Sequence, residues 1–323
     1  MRNLIYILSC LLLLTACDDG DVITVEIEFD DTFESCGDIV FYKTKSNPPE
    51  SLSLQVTSPA LTFEDLIEVE PIEDGSTIMQ VSNPITDVEI NGVTNLFNYR
   101  TYNVDPSNFF CNDIPPANIL ITQDLSSAGG IALIMVELIE DDNDGVPAEL
   151  EDINGNGDLT DDDTDGDGIP NYLDEDDDGD NVLTITELSD NDLVDANGDG
   201  DFDDDVDGNP LTNIVDTDGD GIPNYLDNDD DGDGVLTIDE ENLIQDENPA
   251  NDFTNPDVAD YLNADVAETV PATAYREHTI YQEFEVSIEI NDVSFPTITQ
   301  VFFNFGTLEN TNLSTERNIT PDF

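Results

Sequence analysis

Asp163-Thr164-Asp165-Gly166-Asp167-Gly168-Ile169-Pro170-Asn171-Tyr172-Leu173-Asp174 returns letter for letter as Asp216 to Asp227. Each copy runs into a further acidic loop, Asp176 to Glu187 and Asp229 to Glu240. One spacing fits all four: acids at positions 1, 3 and 5, a sharp bend at position 6, an acid at position 12. In order, the loops supply Asp163, Asp165, Asp167, Gly168 and Asp174; Asp176, Asp178, Asp180, Asn181 and Glu187; Asp216, Asp218, Asp220, Gly221 and Asp227; Asp229, Asp231, Asp233, Gly234 and Glu240.

A hard divalent cation of calcium's size takes six to eight oxygens, and alternate residues of a tight loop can aim carboxylates at one centre. Glycine at position 6 takes a bend where a Cβ would clash, and asparagine, here Asn181, is the next most tolerant residue. Position 7 offers its backbone carbonyl, which frees the side chains of Ile169, Val182, Ile222 and Val235 to be apolar and, by expectation, to pack together beneath the ions. Upstream the template fits more loosely. Glu140, Asp142, Asp144, Gly145 and Glu151 make one loop, and Asp152, Asn154, Asn156, Gly157 and Asp163 another, with Asp163 shared between neighbours. Between the strong copies, Asp195, Asn197 and Asp199 start a loop that reaches Val206 at position 12, and a start at Asp203 reaches Ile214; neither closes. A plain solvated acidic linker is the competing reading. Such a linker has no reason to keep the bend residue and the closing acid in loop after loop.

This stretch resembles the thrombospondin type 3 calcium repeats, in the cysteine-free form of bacterial surface proteins and lipoproteins. Tandem Asp-x-Asp-x-Asp-Gly units and the phrase Gly-Ile-Pro-Asn-Tyr-Leu-Asp carry the resemblance. It implies a chain wrapped irregularly around several calcium ions, and it covers about a third of the sequence.

The start of the chain reads as a processing signal. Met1-Arg2-Asn3 precedes an apolar run, Leu4 to Leu14, too short to span a bilayer, and Leu14-Thr15-Ala16-Cys17 matches the lipobox of bacterial lipoproteins. Residues 1–16 are thus expected to be removed and Cys17 lipidated. Asp18, Asp19 and Asp21 follow; such acids resemble a surface-export signal in some bacteria and an inner-membrane retention signal in others. The calcium loops favour the outer membrane or cell surface, where free calcium is plentiful.

The formal charge of −71 includes only six basic residues, none between Arg100 and Arg276. Nucleic acid and anionic surfaces would be repelled. Outside the acidic block the pattern is mainly β: Ile23 to Phe29, Ile39 to Tyr42, Leu52 to Val56, Asn118 to Thr122, Ile131 to Ile139, Ile280 to Ile290 and Ile298 to Phe305 alternate or run apolar. Val88 to Val93 reads as an Asn-Gly hairpin, and Phe63 to Val69 as a helical turn. Two strands alone are unstable in water, so the C-terminal strands should complete an N-terminal β-sandwich-like domain, with the repeats inserted between neighbouring strands. The divisions are residues 17–139 and 274–309 for that domain, 140–241 for the repeats, 242–273 for a polar connector and 310–323 for a tail. Cys36 and Cys111 remain after processing and predict a disulfide.

No catalytic constellation emerges. His278 is the chain's single histidine, expected on an exposed strand, and there is no Gly-x-Ser-x-Gly elbow or phosphate-cradling loop. Similar calcium phrases precede peptidyl-prolyl isomerase domains in some lipoproteins, but only about fifty residues follow Pro271, short for a domain. The sequence therefore predicts a non-enzymatic, calcium-binding envelope lipoprotein of structural, adhesive or ligand-presenting character, whose β domain meets a protein or glycan. The alternative is an envelope-anchored enzyme or accessory protein with the repeats as spacer. Lipid chains contribute about 0.8 kcal/mol per buried methylene, so labelling with a palmitate analogue should mark the protein and not Cys17→Ala; equal labelling of both refutes the lipobox.

Overall fold

The structure is a computed structural model that describes residues 27–323 apart from 38, 113, 115, 189–208, 213, 299 and 309–312. Expectations that fall on Cys17, on Asp195, Asn197 and Asp199, and on the strand before Ile27 lie outside the described residues. The chain is mainly β, as its alternating pattern predicts. In order the strands are β1 (Thr32–Cys36), β2 (Val40–Ser46), β3 (Pro49–Gln55), β4 (Val69–Pro71), β5 (Met79–Val81), β6 (Ile85–Ile90), β7 (Leu96–Tyr102), β8 (Ile121–Ser126), β9 (Gly130–Asp141), β10 (His278–Asn291), β11 (Phe303–Leu308) and β12 (Ser314–Ile319). Two one-turn helices join them, α1 (Phe63–Leu66) and α2 (Thr184–Glu187). The main hydrogen-bonded order is β6-β9-β10-β11-β1-β2-β3-β7-β8, with β12 on β10, and β4-β5 pair separately. β9 and β10 are neighbours, so the acidic repeats lie in the chain between two adjacent strands. The chain divides into two compact units. Among the described residues no helix is long and apolar enough to cross a membrane.

The first unit comprises residues 1–63, 85–134 and 287–309. Its two ends meet where β1 runs parallel to β11, Thr32 opposite Thr307 and Phe33 opposite Leu308. Alternation puts Phe33, Phe41, Leu54, Phe97 and Phe305 inside, each 1% exposed or less. Phe33 packs at a tilt on Phe305, ring centres 5.3 Å apart, and Phe97 meets Phe303 edge to face at 5.4 Å. Gly306, at φ 90°, is required: a Cβ there would strike the Asp31 carbonyl. Lys43 is buried against this core, where its ammonium donates to the carbonyls of Asp30 and Phe305. Cys36 and Cys111 form the expected disulfide, 75 residues apart in sequence.

The second unit comprises residues 64–84, 135–286 and 310–323. Here β10 pairs antiparallel with β12, from His278 opposite Ile319 to Glu283 opposite Ser314. The last residues, expected as a loose tail, therefore contain a strand; polar outward positions of an edge strand hid it. The Asn91-Gly92 turn also differs from expectation. β6 and β7 are not partners, and the loop is held instead by Asn91 Oδ1, which accepts from the amides of Val93, Thr94 and Asn95. The expected strand at Ile298 begins at Phe303, and that at Asn118 begins at Ile121.

Removing a buried ring leaves a cavity as well as lost contacts, a cost of about 3–5 kcal/mol. Phe97→Ala should therefore lower the unfolding free energy from denaturant titration by that amount, in calcium and in chelator alike. A shift that vanishes in chelator would mean the Phe97 core is not an independent source of stability.

Candidate metal centres

The repeats contain little regular structure: 3-10 turns at Ala148–Leu150, Leu159–Asp161, Asn171–Leu173, Asn224–Leu226 and Thr237–Asp239, with α2 among them. Their order comes from side-chain bonds to the backbone. The first aspartate of a loop accepts the amide of position 6: Asp163 from Gly168 at 3.1 Å, Asp176 from Asn181 at 2.8 Å, Asp216 from Gly221 at 3.2 Å. The third position accepts from the fifth and the fifth from the seventh, as in Asp165 from Asp167 at 3.0 Å and Asp167 from Ile169 at 2.6 Å. Asp218 and Asp220, Asp231 and Asp233 repeat the pattern. The bend residues take positive φ, Gly168 at 95°, Gly221 at 100°, Gly234 at 93°, and Asn181 at 70°. The backbone thus uses one oxygen of these position-3 and position-5 acids and leaves the other over; at Asp178 it uses neither.

The leftover oxygens converge. Ligand atoms lie within 4.8 Å of one another in Asp142/Asp144/Glu151, in Asp163/Asp165/Asp167, in Asp176/Asp178/Asp180, in Asp180/Glu187/Asp230 and in Asp216/Asp218/Asp220. Asp142 and Asp180 are fully buried and Glu151 is 1% exposed. Asp142 Oδ2, Asp144 Oδ2, Asp180 Oδ2 and both carboxylate oxygens of Glu151, Asp178 and Glu187 have no hydrogen-bond partner. In the last loop the same holds for Asp229 Oδ1, Asp231 Oδ2, Asp233 Oδ2 and Glu240 Oε1. Burying an unpaired carboxylate is costly, so such groups either protonate or meet a cation. Burial, reinforced by neighbouring acids, pushes Glu151 up to about 10. Burial pushes Asp144 and Asp176 up to about 7 and Asp230 up to about 8. It raises Asp142, Asp178, Asp180 and Glu187 well above the usual carboxylate range. A donor set made only of oxygens, four or more to a loop, suits a hard cation.

Several assignments from the sequence change. Glu140 is not a ligand: Oε1 accepts from Arg317 Nε at 2.9 Å and Gln282 Nε2 at 2.8 Å, and Oε2 from the Met79 amide. In the loop of Asp152, Asn154 and Asn156, Asp161 accepts from both asparagines and Asp162 from Asn154, while Asp163 stands with Asp165 and Asp167. The position-7 side chains do not form one cluster. Ile169 packs with Leu173 and Ile280, Val182 with Ala259 and Tyr261, Val235 is half-buried, and Ile222 is 45% exposed. His278, expected on the surface, is 2% exposed, and its Nδ1 lies 2.6 Å from Asp174 Oδ1, the closing acid of the first copy. Burial alone would lower its pKa; the hydrogen bond and charge of Asp174 outweigh burial and leave it raised. Asp227, the equivalent acid of the second copy, is half-buried, and Asp174 shares its own loop with Asp163 and Asp165.

Two pairs of residues were missed. Asp177 and Asp230 occupy position 2, which the template ignores, yet both are 2% exposed. Gly179 and Gly232 are needed for close approach, because a Cβ there would strike Asp165 and Asp218 of the preceding loop. The repeated run Asp-Asp-Asp-Gly-Asp is the signal that carried both.

Residues 141–194 match the family model described as BamM C-terminal. No curated protein and no solved structure matches the chain.

The folded values near 6 for Asp231 and 7 for Asp165 and Asp176, and near 8 for Asp230, lie above about 4, the ordinary unfolded value. The metal-free fold therefore binds more protons than the unfolded chain. Its stability should fall as pH rises from about 4 through 8. Metal-stripped protein should be more compact by scattering at pH 5 than at pH 8, and saturating divalent cation should abolish that difference. A metal-free protein equally compact at both values would contradict the arrangement.

Proposed function

We propose that this chain is a calcium-binding, non-enzymatic lipoprotein of the cell envelope, whose acidic repeats are set into shape by calcium. One observation carries the reading: in the loops of residues 142–151 and 176–187, buried carboxylate oxygens converge within 4.8 Å and have no hydrogen-bond partner, and the same spacing recurs on the more exposed groups Asp163/Asp165/Asp167 and Asp216/Asp218/Asp220. Calcium at these sites would supply the positive charge that the chain lacks. Asp142, Asp144 and Glu151; Asp163, Asp165, Asp167 and Asp174; Asp176, Asp178, Asp180 and Glu187; Asp216, Asp218, Asp220 and Asp227; and Asp229, Asp231, Asp233 and Glu240 would hold it. The carbonyls of Ile169, Val182, Ile222 and Val235 would serve as position-7 ligands, and Asp152, Asn154 and Asn156 as a weaker site.

The envelope placement rests on the lipobox at Cys17 and on the family match, since BamM is an outer-membrane assembly lipoprotein. Lipid anchoring at the outer membrane or cell surface, with a protein or glycan partner for the β domain, follows from the same reading. A non-catalytic role is supported by the chain's single histidine, which is buried and bonded to Asp174.

Extracellular calcium modules bind at about 10⁻⁴ to 10⁻³ M. Titration of the whole mature protein should show uptake of several calcium ions in that range, with poor substitution by magnesium, which demands a smaller octahedral shell. Asp218→Ala with Asp220→Ala should lower the calcium count and expand the particle by scattering. No uptake at millimolar calcium, or identical scattering with and without chelator, would overturn the proposal.

A further inference from the structure

Position 2 of a cation loop ordinarily points to solvent, because the ligands alternate at 1, 3 and 5. In the repeated phrase this position is a threonine, Thr164 or Thr217, which bonds an asparagine of its own loop. Asp177 and Asp230 differ: one oxygen of Asp230, Oδ2, accepts from Thr237 Oγ1 of its own loop, and the other is left over. Asp230 belongs to the loop that begins at Asp229, yet its carboxylate lies within 4.8 Å of ligand atoms of Asp180 and Glu187, in the loop that begins at Asp176. Its Oδ1 is buried without a hydrogen-bond partner, as are Asp180 Oδ2 and both oxygens of Glu187.

Asp177 repeats the arrangement one loop earlier. Both its oxygens are buried and unpartnered, and Leu188, which follows the last residue of its own loop, packs on Val146 of the loop that supplies Asp144 and Glu151. The apolar contacts take the same step. Tyr225 packs on Val146, position 7 of the loop that Asp177 faces, and Tyr261 on Val182, position 7 of the loop that Asp230 faces.

We propose that Asp177 and Asp230 are cross-repeat ligands: each offers an unpartnered oxygen beyond its own loop to complete the cation shell of an earlier one, so that one ion clamps two stretches distant in sequence. The inference rests on the calcium reading above. A carboxylate here takes a coordination place that a loop alone leaves to water. Filling the site of residues 176–187 then requires the stretch that follows Asp229 to be folded against it, and calcium uptake becomes linked along the array rather than independent loop by loop.

The test uses the whole mature protein, with hydrogen exchange followed segment by segment as calcium is raised. Asp230→Asn keeps the shape and removes the charge. It should raise, by about tenfold or more, the calcium concentration that protects residues 176–187, and leave the concentration for residues 163–174 unchanged. Asp177→Asn should shift residues 142–151 in the same way, and it carries the test if Asp230→Asn fails to fold. Asp233→Asn, a ligand within its own loop, should shift residues 229–240 first. If the wild type takes up calcium but Asp230→Asn and Asp177→Asn leave those midpoints unchanged, the cross-repeat role is wrong and the calcium reading stands. If the wild type takes up no calcium, both fall together.

Discussion

Three carboxylates whose oxygens stand within 4.8 Å of one another are the constraint on which the acidic half of this protein depends. At an effective dielectric constant of about 20, each pair of unit charges at that distance repels by about 3.5 kcal/mol, so a triad carries about 10 kcal/mol. Whole domains are stable by only about 5–15 kcal/mol. One such group left unneutralised would therefore cancel the folding of an ordinary domain, and six are brought together among the described residues. The basic residues cannot compensate: the second unit contains two, Arg276 and Arg317, and Arg317 is engaged with Glu140.

The first unit answers to a different logic. Phe33, Phe97 and Phe305 bury aromatic surface in the usual way, and the disulfide between Cys36 and Cys111 restricts the unfolded chain across a long loop. One chain thus combines a segment stabilised by apolar burial with one whose apolar clusters are small. The clusters around Val146, Ile169 and Val182 contain three fully buried residues each. A segment with so little core draws its order from the bonds between its carboxylates and its backbone amides.

Much of this was legible because loop chemistry is local. The bonds from Asp163 to Gly168 and from Asp167 to Ile169 span a few residues, so spacing alone foretold the bends, including Asn181. What escaped depended on distant partners. Asp177 and Asp230 meet acids of other loops, and His278 becomes buried only because Asp174 receives it. Glu140 fits the spacing but is claimed by Arg317 from the far end of the sequence. Strand β12 escaped for a related reason: Ser-Thr-Glu-Arg-Asn has no apolar alternation, and pairing with β10 is what makes it a strand.

The twelve residues from Asp163 and the twelve from Asp216 are the same, but Ile169 is 2% exposed against Ile280 while Ile222 is 45% exposed. A globular core would not allow this, because its side chains must interlock with one particular set of neighbours. A loop whose shape comes from its own carboxylates and backbone amides needs no such neighbours. The phrase can be copied onward as a modular brick, which lengthens the protein without the need to evolve a new interior for each addition. The length of the acidic segment would then be set by the number of bricks, which gene duplication can change in whole units.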